Sequence, residues 1–356
     1  MFKVCIISCG MIANAAHIPA YKHFADDFCI TAVCDINEDA ARDTAKRHSI
    51  PAYYTDADKM LTEQKPDIVS VCVPNFMHKE MTMLALSHNC HVMCEKPVAF
   101  TYADAKEMYG YAKQKGLILT ACQTMRFTPD RLAAKNYIEQ NGINDFYYAD
   151  LKRIRRRGIP TWGKFHIKEV SGGGAFVDIG VHMIDALLWL MGNPKLKSAS
   201  AIMMKNHADE IGSLEQSGAL TGEVHNARTF NPDEMNVEDF SGGSLKFENG
   251  ACVDFTVAWA TNMPEASDIL LVGKKCGIDL PKCKIYTGAD TITDLKPETN
   301  KYPNEKFFGH FYLFDNMRKV FKGEAEPIVK PEETINAARI IEAVYKSAET
   351  GKEVVF

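Results

Sequence analysis

The sequence lacks a long uninterrupted hydrophobic run, although 46% of its 356 residues are hydrophobic. A membrane-spanning helix needs roughly 20 mainly apolar residues, and no apolar run here approaches about 18. The N-terminal stretch MFKVCIISCG also lacks the longer apolar core and the small-residue cleavage site of a secretory signal peptide. We therefore expect a soluble, cytoplasmic protein without a membrane partner.

The sequence also lacks the features of a disulfide scaffold and of a nucleic-acid-binding protein. Its 11 cysteines are odd in number, include no C-x-x-C spacing and fall largely within apolar runs, which favours reduced, buried thiols. The formal net charge of -5 creates no field that would attract nucleic acid. The one basic run, RIRRR from Arg153 to Arg157, is expected to be a solvated strand end, with a substrate or partner contact as the alternative.

Short apolar runs of strand length alternate with stretches of helical periodicity over the first third of the chain. The runs are KVCIIS, ITAVCD, DIVSVCVP, HVMCEKP and LILTACQ. The helices are predicted over Ile12–Phe24, Asp39–His48, Phe76–His88 and Tyr102–Lys115. This alternation is typical of a doubly wound parallel sheet. We therefore expect a first α/β domain over residues 1–122.

After residue 122 longer strands replace the strand–helix alternation. Helices are predicted over Pro129–Gln140, Gly309–Lys322 and Glu332–Thr350, and GGSLKFENGACVDFTVAW predicts two strands joined by a type I′ turn at Asn249-Gly250. We expect a second, α+β domain over 123–356 with a large, mainly antiparallel open sheet and helices on one face. Its uncovered face predicts a homo-oligomer, a dimer or tetramer. The polar stretch 206–236 is expected to be a lid or a subunit contact.

The first strand-to-helix turn, IISCGMIAN, has the features of a nucleotide-binding turn. Gly10 would let the backbone approach a pyrophosphate, and the helix amides that follow, from Met11 and Ile12, would face the anion. Ser8 replaces the first glycine of the G-x-G-x-x-G pattern. Asp35, after the second strand, would bind the ribose 2′-hydroxyl and repel a 2′-phosphate, which favours NAD over NADP. The alternative is that Asp35 only caps a turn.

Two further turns end strands of the first domain, where doubly wound sheets bind ligands. The E-K-P turn places Glu95 and Lys96 at this edge, and the conformation of Lys96 is limited by the proline that follows. The neighbouring V-P-N turn offers Pro74, Asn75 and His78. We expect these polar or rigid groups to converge on a nicotinamide and its substrate.

The apolar helix GGGAFVDIGVHMIDALLWLMG contains a polar stripe. Asp178, His182 and Asp185 are spaced to share one helix face. Burying such a stripe without partners would be costly. The stripe either serves catalysis or consists of buried polar residues that backbone groups satisfy, and a metal site ranks third because no second cluster supplies the missing ligands. No metal is therefore predicted.

Over nearly its whole length the chain resembles the Gfo/Idh/MocA oxidoreductases. The shared motifs occur in the family's order: SCGMIA, CVPNFMH, EKP, GGGAFVDIGVHMID, VEDF, FENG and GKKCGIDL. The resemblance implies an N-terminal Rossmann domain, a C-terminal α/β domain whose open sheet often packs against another subunit, a tightly held nicotinamide dinucleotide, and a sugar, polyol or glycoside substrate. It also implies that Lys96, Asp178 and His182 line the site. The departure is Ser8, where the backbone approaches the phosphates less freely.

These residues predict an NAD-dependent dehydrogenase that acts on a secondary ring hydroxyl. His182 is the better base because imidazole titrates near neutral pH, while Lys96 could hold the hydroxyl or act as the base itself. Asp178 could orient the substrate, and Trp162 could stack on a sugar ring. Two alternatives remain open: redox-neutral glycoside cleavage through a keto sugar, and a non-catalytic sensor.

Overall fold

The computed structural model describes residues 1–161, 163–208, 230–302 and 306–356, which form two compact units. The first unit contains Met1–Thr124 and also Tyr302–Thr334. The second contains the described residues between 125 and 301, together with Ile335–Phe356. The strand–helix pattern assigned everything after residue 122 to one second domain, so the return of Tyr302–Thr334 to the first unit was not predicted. Most of the polar stretch 206–236 lies outside the described residues.

The first unit is built on a six-stranded parallel sheet in the order β3-β2-β1-β4-β5-β6. Its strands are β1 (Phe2–Ile7), β2 (Phe28–Cys34), β3 (Ala52–Tyr54), β4 (Ile68–Val71), β5 (His91–Cys94) and β6 (Leu119–Ala121). The central strands read as continuous apolar runs because helices cover both faces of a parallel sheet. The predicted doubly wound sheet is confirmed. The short edge strand β3 was not predicted, since three partly exposed residues produce no hydrophobic pattern.

Five helices connect these strands: Ile18–His23, Glu38–His48, Ala57–Gln64, His78–Ser87 and Tyr102–Gln114. The helix Phe308–Phe321, from later in the chain, also belongs to this unit. A π-helical turn, Ala13–His17, precedes the first of the five. The side chains of Asn37, Asp56 and Thr101 accept hydrogen bonds from the first free amides of their helices, which explains why these helices start where they do.

The second unit contains a nine-stranded sheet in the order β14-β13-β12-β11-β7-β10-β9-β8-β15. The strands are β7 (Phe146–Ile154), β8 (Leu196–Met204), β9 (Phe240–Phe247), β10 (Cys252–Ala258), β11 (Ala266–Gly273), β12 (Gly277–Asp279), β13 (Lys284–Thr287), β14 (Thr291–Asp294) and β15 (Val354–Val355). Among the strands that the structure describes in this sheet, only β7 and β10 pair in parallel, so the predicted mainly antiparallel sheet is confirmed. Helices of this unit include Pro129–Gln140, Lys168–Ser171, Val181–Leu190 and most of Pro331–Thr350.

The hairpin between β9 and β10 forms where the sequence predicted it, but its turn is of another type. Gly250 has a φ of 86°, whereas Asn249 is not among the residues with positive φ. The Gly250 amide donates to the Phe247 carbonyl at 3.0 Å, and the Phe247 amide donates to the Ala251 carbonyl at 2.9 Å. These bonds close a three-residue loop with a left-handed glycine, and the predicted type I′ turn is wrong because that turn needs two left-handed residues.

The segment Lys168–Leu190 is long and apolar enough to span a membrane by length and composition. It contains no uninterrupted apolar run of that length, because polar residues such as Asp178 and His182 are interspersed. In the fold 89% of its apolar 18-residue window is buried. Burial of this extent is typical of a core helix.

Candidate active site

The turn after β1 has the conformation that a dinucleotide-binding turn requires. Ser8, in place of the first glycine, has a φ of 81°. A left-handed serine costs about 1–2 kcal/mol, and contacts of this turn offset it: the Ser8 amide donates to the Cys34 carbonyl at 2.7 Å. Gly10 is exposed, and a Cβ built on it would meet only the Ser8 Oγ atom, at 3.7 Å. Open space therefore lies over the turn where a pyrophosphate would approach, next to the helix amides of Met11 and Ile12.

Asp35 follows β2 and braces this turn. Its Oδ2 atom accepts hydrogen bonds from the Cys9 amide at 2.8 Å and the Ser8 hydroxyl at 3.4 Å, and its Oδ1 atom accepts from the Asn37 amide at 2.9 Å. A carboxylate has about four acceptor positions, so a partly exposed Asp35 can still bind a hydroxyl. Asn37, not Asp35, caps the next helix. The remaining acceptor positions of Asp35 and the open turn fit the adenosine ribose and pyrophosphate of a dinucleotide.

The E-K-P and V-P-N turns lie at the carboxyl ends of neighbouring strands, β5 and β4. Pro74 is exposed, and Asn75 and Lys96 are partly exposed, as ligand-contacting groups need to be. His78 differs from the prediction. Its ring is 1% exposed, with Nδ1 2.7 Å from the Pro97 carbonyl and Nε2 3.0 Å from the Val73 carbonyl. Burial lowers the pKa of His78, so this residue ties the two turns together rather than contacting a ligand.

Glu95 is also buried, and it belongs to a polar cluster that the sequence did not predict. Its Oε1 atom lies 2.9 Å from Nε2 of His17 and 3.0 Å from Nε2 of His310, and its Oε2 atom accepts the Lys96 amide at 3.2 Å. The three side chains are 7%, 0% and 5% exposed for Glu95, His17 and His310. The predicted direct contact of Glu95 with the cofactor is therefore replaced by a contact with two imidazoles. His17 is the last residue of the π-helical turn Ala13–His17.

The polar stripe of the second unit divides into two parts. Asp185 is 1% exposed and accepts two hydrogen bonds from Arg126, from Nε at 2.6 Å and from Nη2 at 2.5 Å. Arg126 itself is fully buried. This paired geometry is that of a structural ion pair, so Asp185 does not belong to the accessible part of the stripe.

Asp178 and His182 are the accessible part. Both are partly exposed, whereas their neighbours Val177, Ile179 and Val181 are buried. A π-helical turn, Phe176–Gly180, lies at this point, and such turns are frequent at functional sites. The Asp178 Oδ2 atom accepts a hydrogen bond from the Trp259 indole at 3.0 Å, which holds the carboxylate in one orientation.

A glycine turn and a buried glutamate hold the start of this helix. A Cβ on Gly174 would lie 1.8 Å from the Glu238 carbonyl oxygen, and one on Gly173 would lie 2.0 Å from the Tyr345 hydroxyl. The Glu238 carboxylate accepts bonds from the amides of Gly174 and Phe176 at 2.9 and 3.0 Å and from the Tyr345 hydroxyl at 2.7 Å. Burial raises the pKa of Glu238, and these donors oppose the rise.

The basic run at the end of β7 is less solvated than expected. Arg156 is exposed, but Arg153 is partly buried and Arg155 is 8% exposed. Burial, followed by the charges of Arg155 and Arg131, lowers the pKa of Arg153 to about 10, while the Asp178 carboxylate acts in the opposite direction. The predicted solvated strand end is therefore wrong for the two inner arginines, which provide positive charge that acts on Asp178. Trp162, the predicted stacking residue, lies outside the described residues.

The first unit has a glycine turn followed by a helix and an acidic residue after its second strand, and the second unit has an open sheet. These features are typical of a two-domain dinucleotide-binding protein. Residues 2–122 match the model of an oxidoreductase family with an NAD-binding Rossmann fold, and residues 135–356 match that family's C-terminal α/β domain. The chain belongs to the Gfo/Idh/MocA oxidoreductase family, and NAD is its cofactor.

Curated relatives and solved structures match the chain over its full length. It is 32% identical to a D-glucoside 3-dehydrogenase of Escherichia coli (strain K12) over 361 residues, covering 99% of this chain and 97% of the relative. It is 24% identical to an NADP(+)-dependent scyllo-inositol 2-dehydrogenase of Bacillus subtilis (strain 168), covering 99% and 95%. A crystal structure of an aldose-aldose oxidoreductase from Caulobacter crescentus, complexed with glycerol, matches with a TM-score of 0.78 at 22% identity, covering 100% and 99%. At that identity the likeness concerns the fold.

Proposed function

We propose that this protein is an NAD-dependent dehydrogenase that oxidises a secondary ring hydroxyl of a glucoside or a related sugar or polyol, with position 3 of a glucoside as the first candidate. The observation that supports it most directly is the 32% identity with a D-glucoside 3-dehydrogenase over 99% of this chain. Lys96, Asp178 and His182, the residues that the family resemblance places at the site, are all present and partly exposed.

The roles follow from the chemistry of oxidising an alcohol. NAD supplies the hydride acceptor, and the chain must take up the hydroxyl proton and stabilise charge that develops on the oxygen. We assign the proton to His182, because imidazole groups in general exchange protons near neutral pH. Lys96 donates a hydrogen bond to the same hydroxyl, and Asp178, oriented by Trp259, accepts one from a neighbouring hydroxyl.

The test is to measure NAD⁺ reduction with methyl glucosides, free sugars and inositols, and to identify the product by NMR. We expect turnover with at least one glucoside and a keto group at one ring carbon. A control substrate, the 3-deoxy glucoside, should not react. If no sugar or polyol is oxidised while NAD binds, the dehydrogenase proposal is wrong, and release of an aglycone without net NADH would identify redox-neutral cleavage instead.

We also propose that the protein is a homo-oligomer assembled through the open sheet of the second unit. Several apolar side chains on its strands are exposed: Ile202 by 55%, Met204 by 47%, Ile292 by 60% and Tyr286 by 36%. A second subunit would remove this apolar surface from water. Light scattering should give a multiple of 39.7 kDa, and a monomer mass at micromolar concentration would contradict the proposal.

We place the protein in the cytoplasm because of its thiols. All 11 cysteines lie in the described residues and are free, and most are buried. Secreted proteins usually pair their cysteines, whereas reducing compartments keep them as thiols. Cell fractionation with a tagged chain would test this placement, and recovery in a secreted fraction would contradict it.

A further inference from the structure

We propose that His310 is a positioning residue that holds the Lys96 turn through the Glu95 carboxylate; this inference rests on the proposed dehydrogenase function. His310 lies near the start of the helix Phe308–Phe321, which belongs to the first unit although it is far away in sequence. It reaches Glu95, the residue immediately before Lys96, at 3.0 Å.

The hydrogen bonds around Glu95 have one consistent direction. The Nε2 atom of His17 lies 2.9 Å from the Glu95 carboxylate, which can only accept, so Nε2 bears the proton. With one proton on its ring, His17 accepts at Nδ1 from the Ser70 hydroxyl at 3.0 Å. The Ser70 and Tyr21 hydroxyl oxygens lie 2.8 Å apart, and the Met93 sulfur lies 3.4 Å from the Tyr21 oxygen. His310 donates through its own Nε2. The series of donors therefore ends on one carboxylate oxygen.

The charges within the cluster agree with this direction. Burial alone would raise the pKa of Glu95, but the hydrogen bonds from His17 and His310 outweigh it and hold the pKa of that carboxyl well below its usual range. Burial lowers the pKa of His17, which favours the neutral ring with a single proton. The cluster thus contains a buried anion that two imidazoles stabilise, and loss of either donor leaves part of that charge unsatisfied.

The turn is held on both sides of Lys96. Before it, the Glu95 side chain is bound by the two imidazoles and also accepts the Lys96 amide at 3.2 Å. After it, the Pro97 carbonyl lies 2.7 Å from Nδ1 of His78. Catalytic groups must be held to about 0.5 Å, and misplacement by about 1 Å can cost roughly 100-fold in rate. Three buried histidines thus restrict the backbone that presents Lys96.

Three side chains in the same region are close enough together to bind a metal ion. The experiment must therefore distinguish a metal site from a hydrogen-bonded cluster. The ligand atoms of His17, Glu95 and Cys122 lie within 4.8 Å of one another. Imidazole nitrogens bound to a metal would no longer donate to Glu95. Metal analysis of the purified protein therefore distinguishes the two arrangements.

The experiment compares three variants on the helix Phe308–Phe321. His310→Gln retains an amide donor in place of Nε2, and His310→Leu removes the donor at similar volume. Val320→Ala is the matched control: Val320 is buried on the same helix, and its truncation lowers stability without removing a donor to Glu95. Four quantities are measured for each variant: the melting temperature, the NAD affinity, the rate at which a small amine-reactive reagent modifies Lys96, and kcat.

We expect His310→Leu to change the modification rate of Lys96, measured against surface lysines by peptide mass spectrometry, and to lower kcat per folded, NAD-loaded subunit by roughly 10-fold or more. His310→Gln should resemble the wild type in both, and Val320→Ala should change only the melting temperature. The modification rate does not need a substrate, so it tests the inference even if no sugar is oxidised.

Three results would overturn the inference. One is a His310→Leu protein that, at temperatures below its melting point, keeps the wild-type rate of Lys96 modification and the wild-type kcat. His310 would then act only on stability. The second is a His310→Gln protein as impaired as His310→Leu, because donation to Glu95 would not be the cause. The third is about one zinc ion per subunit that is lost together with activity when Cys122→Ala is introduced.

Discussion

The buried ion pair between Arg126 and Asp185 offers a way to separate stability from catalysis on a single helix. Asp185 is 1% exposed and Arg126 0%, and two hydrogen bonds of 2.6 and 2.5 Å join them. Asp185→Asn removes the negative charge and leaves the guanidinium buried without its counter-ion. Breaking a buried pair in this way costs about 3–5 kcal/mol. For a unit of this size, 1 kcal/mol lowers the melting temperature by about 2–4 °C, so a decrease of roughly 6–20 °C is expected.

The assay combines thermal and urea denaturation with turnover per folded, NAD-loaded subunit measured well below the melting point. Asp185→Asn should lose stability with little change in kcat, because Asp185 lies in the buried part of the stripe. The double variant Arg126→Met with Asp185→Leu should recover much of the stability, since it removes both charges together. The reasoning would be refuted by an Asp185→Asn protein as stable as the wild type, or by one whose folded, NAD-loaded subunits have lost turnover.

Three further predictions concern the cofactor, the catalytic groups and pH. Asp35→Ser should relax the preference for NAD over NADP, because the carboxylate that repels a 2′-phosphate is gone; binding titrations measure it. Lys96→Ala and His182→Ala should each lower kcat by roughly 100-fold or more with NAD affinity retained, and the double variant should lose less than the product of the two effects. The stability advantage of the wild type over Glu95→Gln should shrink as the pH falls below about 5, because a carboxyl with a lowered folded-state pKa stabilises only while ionised.

Each of these predictions has a result that would contradict it. Equal affinity of the wild type for NADP and NAD would contradict the role of Asp35 in cofactor preference. A His182→Ala protein that melts early but turns over at the wild-type rate would make His182 a structural residue. In urea titrations from pH 7 to 3.5, a gap between the wild type and Glu95→Gln that stays constant or widens would show that Glu95 is not ionised in the fold. Asp239→Asn is a control of opposite sign: burial raises the pKa of Asp239, so the stability of the wild type relative to this variant should rise as the pH falls.

Local signals in the sequence predicted most elements closely. The helix Pro129–Gln140 has the predicted bounds, and the final helix begins at Pro331, one residue before the predicted Glu332. Helix periodicity, caps and prolines act over a few residues, so they can be read without knowledge of the rest of the chain. The edge strand β3 and the π turn Phe176–Gly180 were missed, because a short strand and a single widened turn leave the hydrophobic pattern almost unchanged.

Candidate site residues could be proposed where a residue type and a strand end coincide. Asp35 and Lys96 were proposed because the carboxyl ends of parallel strands meet at one edge of a sheet, and their roles stay predictions. The hydrogen-bond partners of His78 and Glu95 could not be predicted, since neither burial nor the identity of a hydrogen-bond partner is visible in a motif. Both residues were expected to contact the cofactor, and both are buried and bonded within the first unit.

The sequence by itself determined the order of strands and helices, the dinucleotide turn and the presence of a polar stripe in an apolar helix. Only the tertiary structure decided which members of that stripe are accessible. Asp178 and Asp185 have the same side chain and share one predicted helix face. In the structure Arg126 pairs with Asp185, whereas the indole of Trp259 donates a hydrogen bond to Asp178. The two partners come from distant parts of the chain, and contacts between distant residues depend on packing, which a local pattern does not encode.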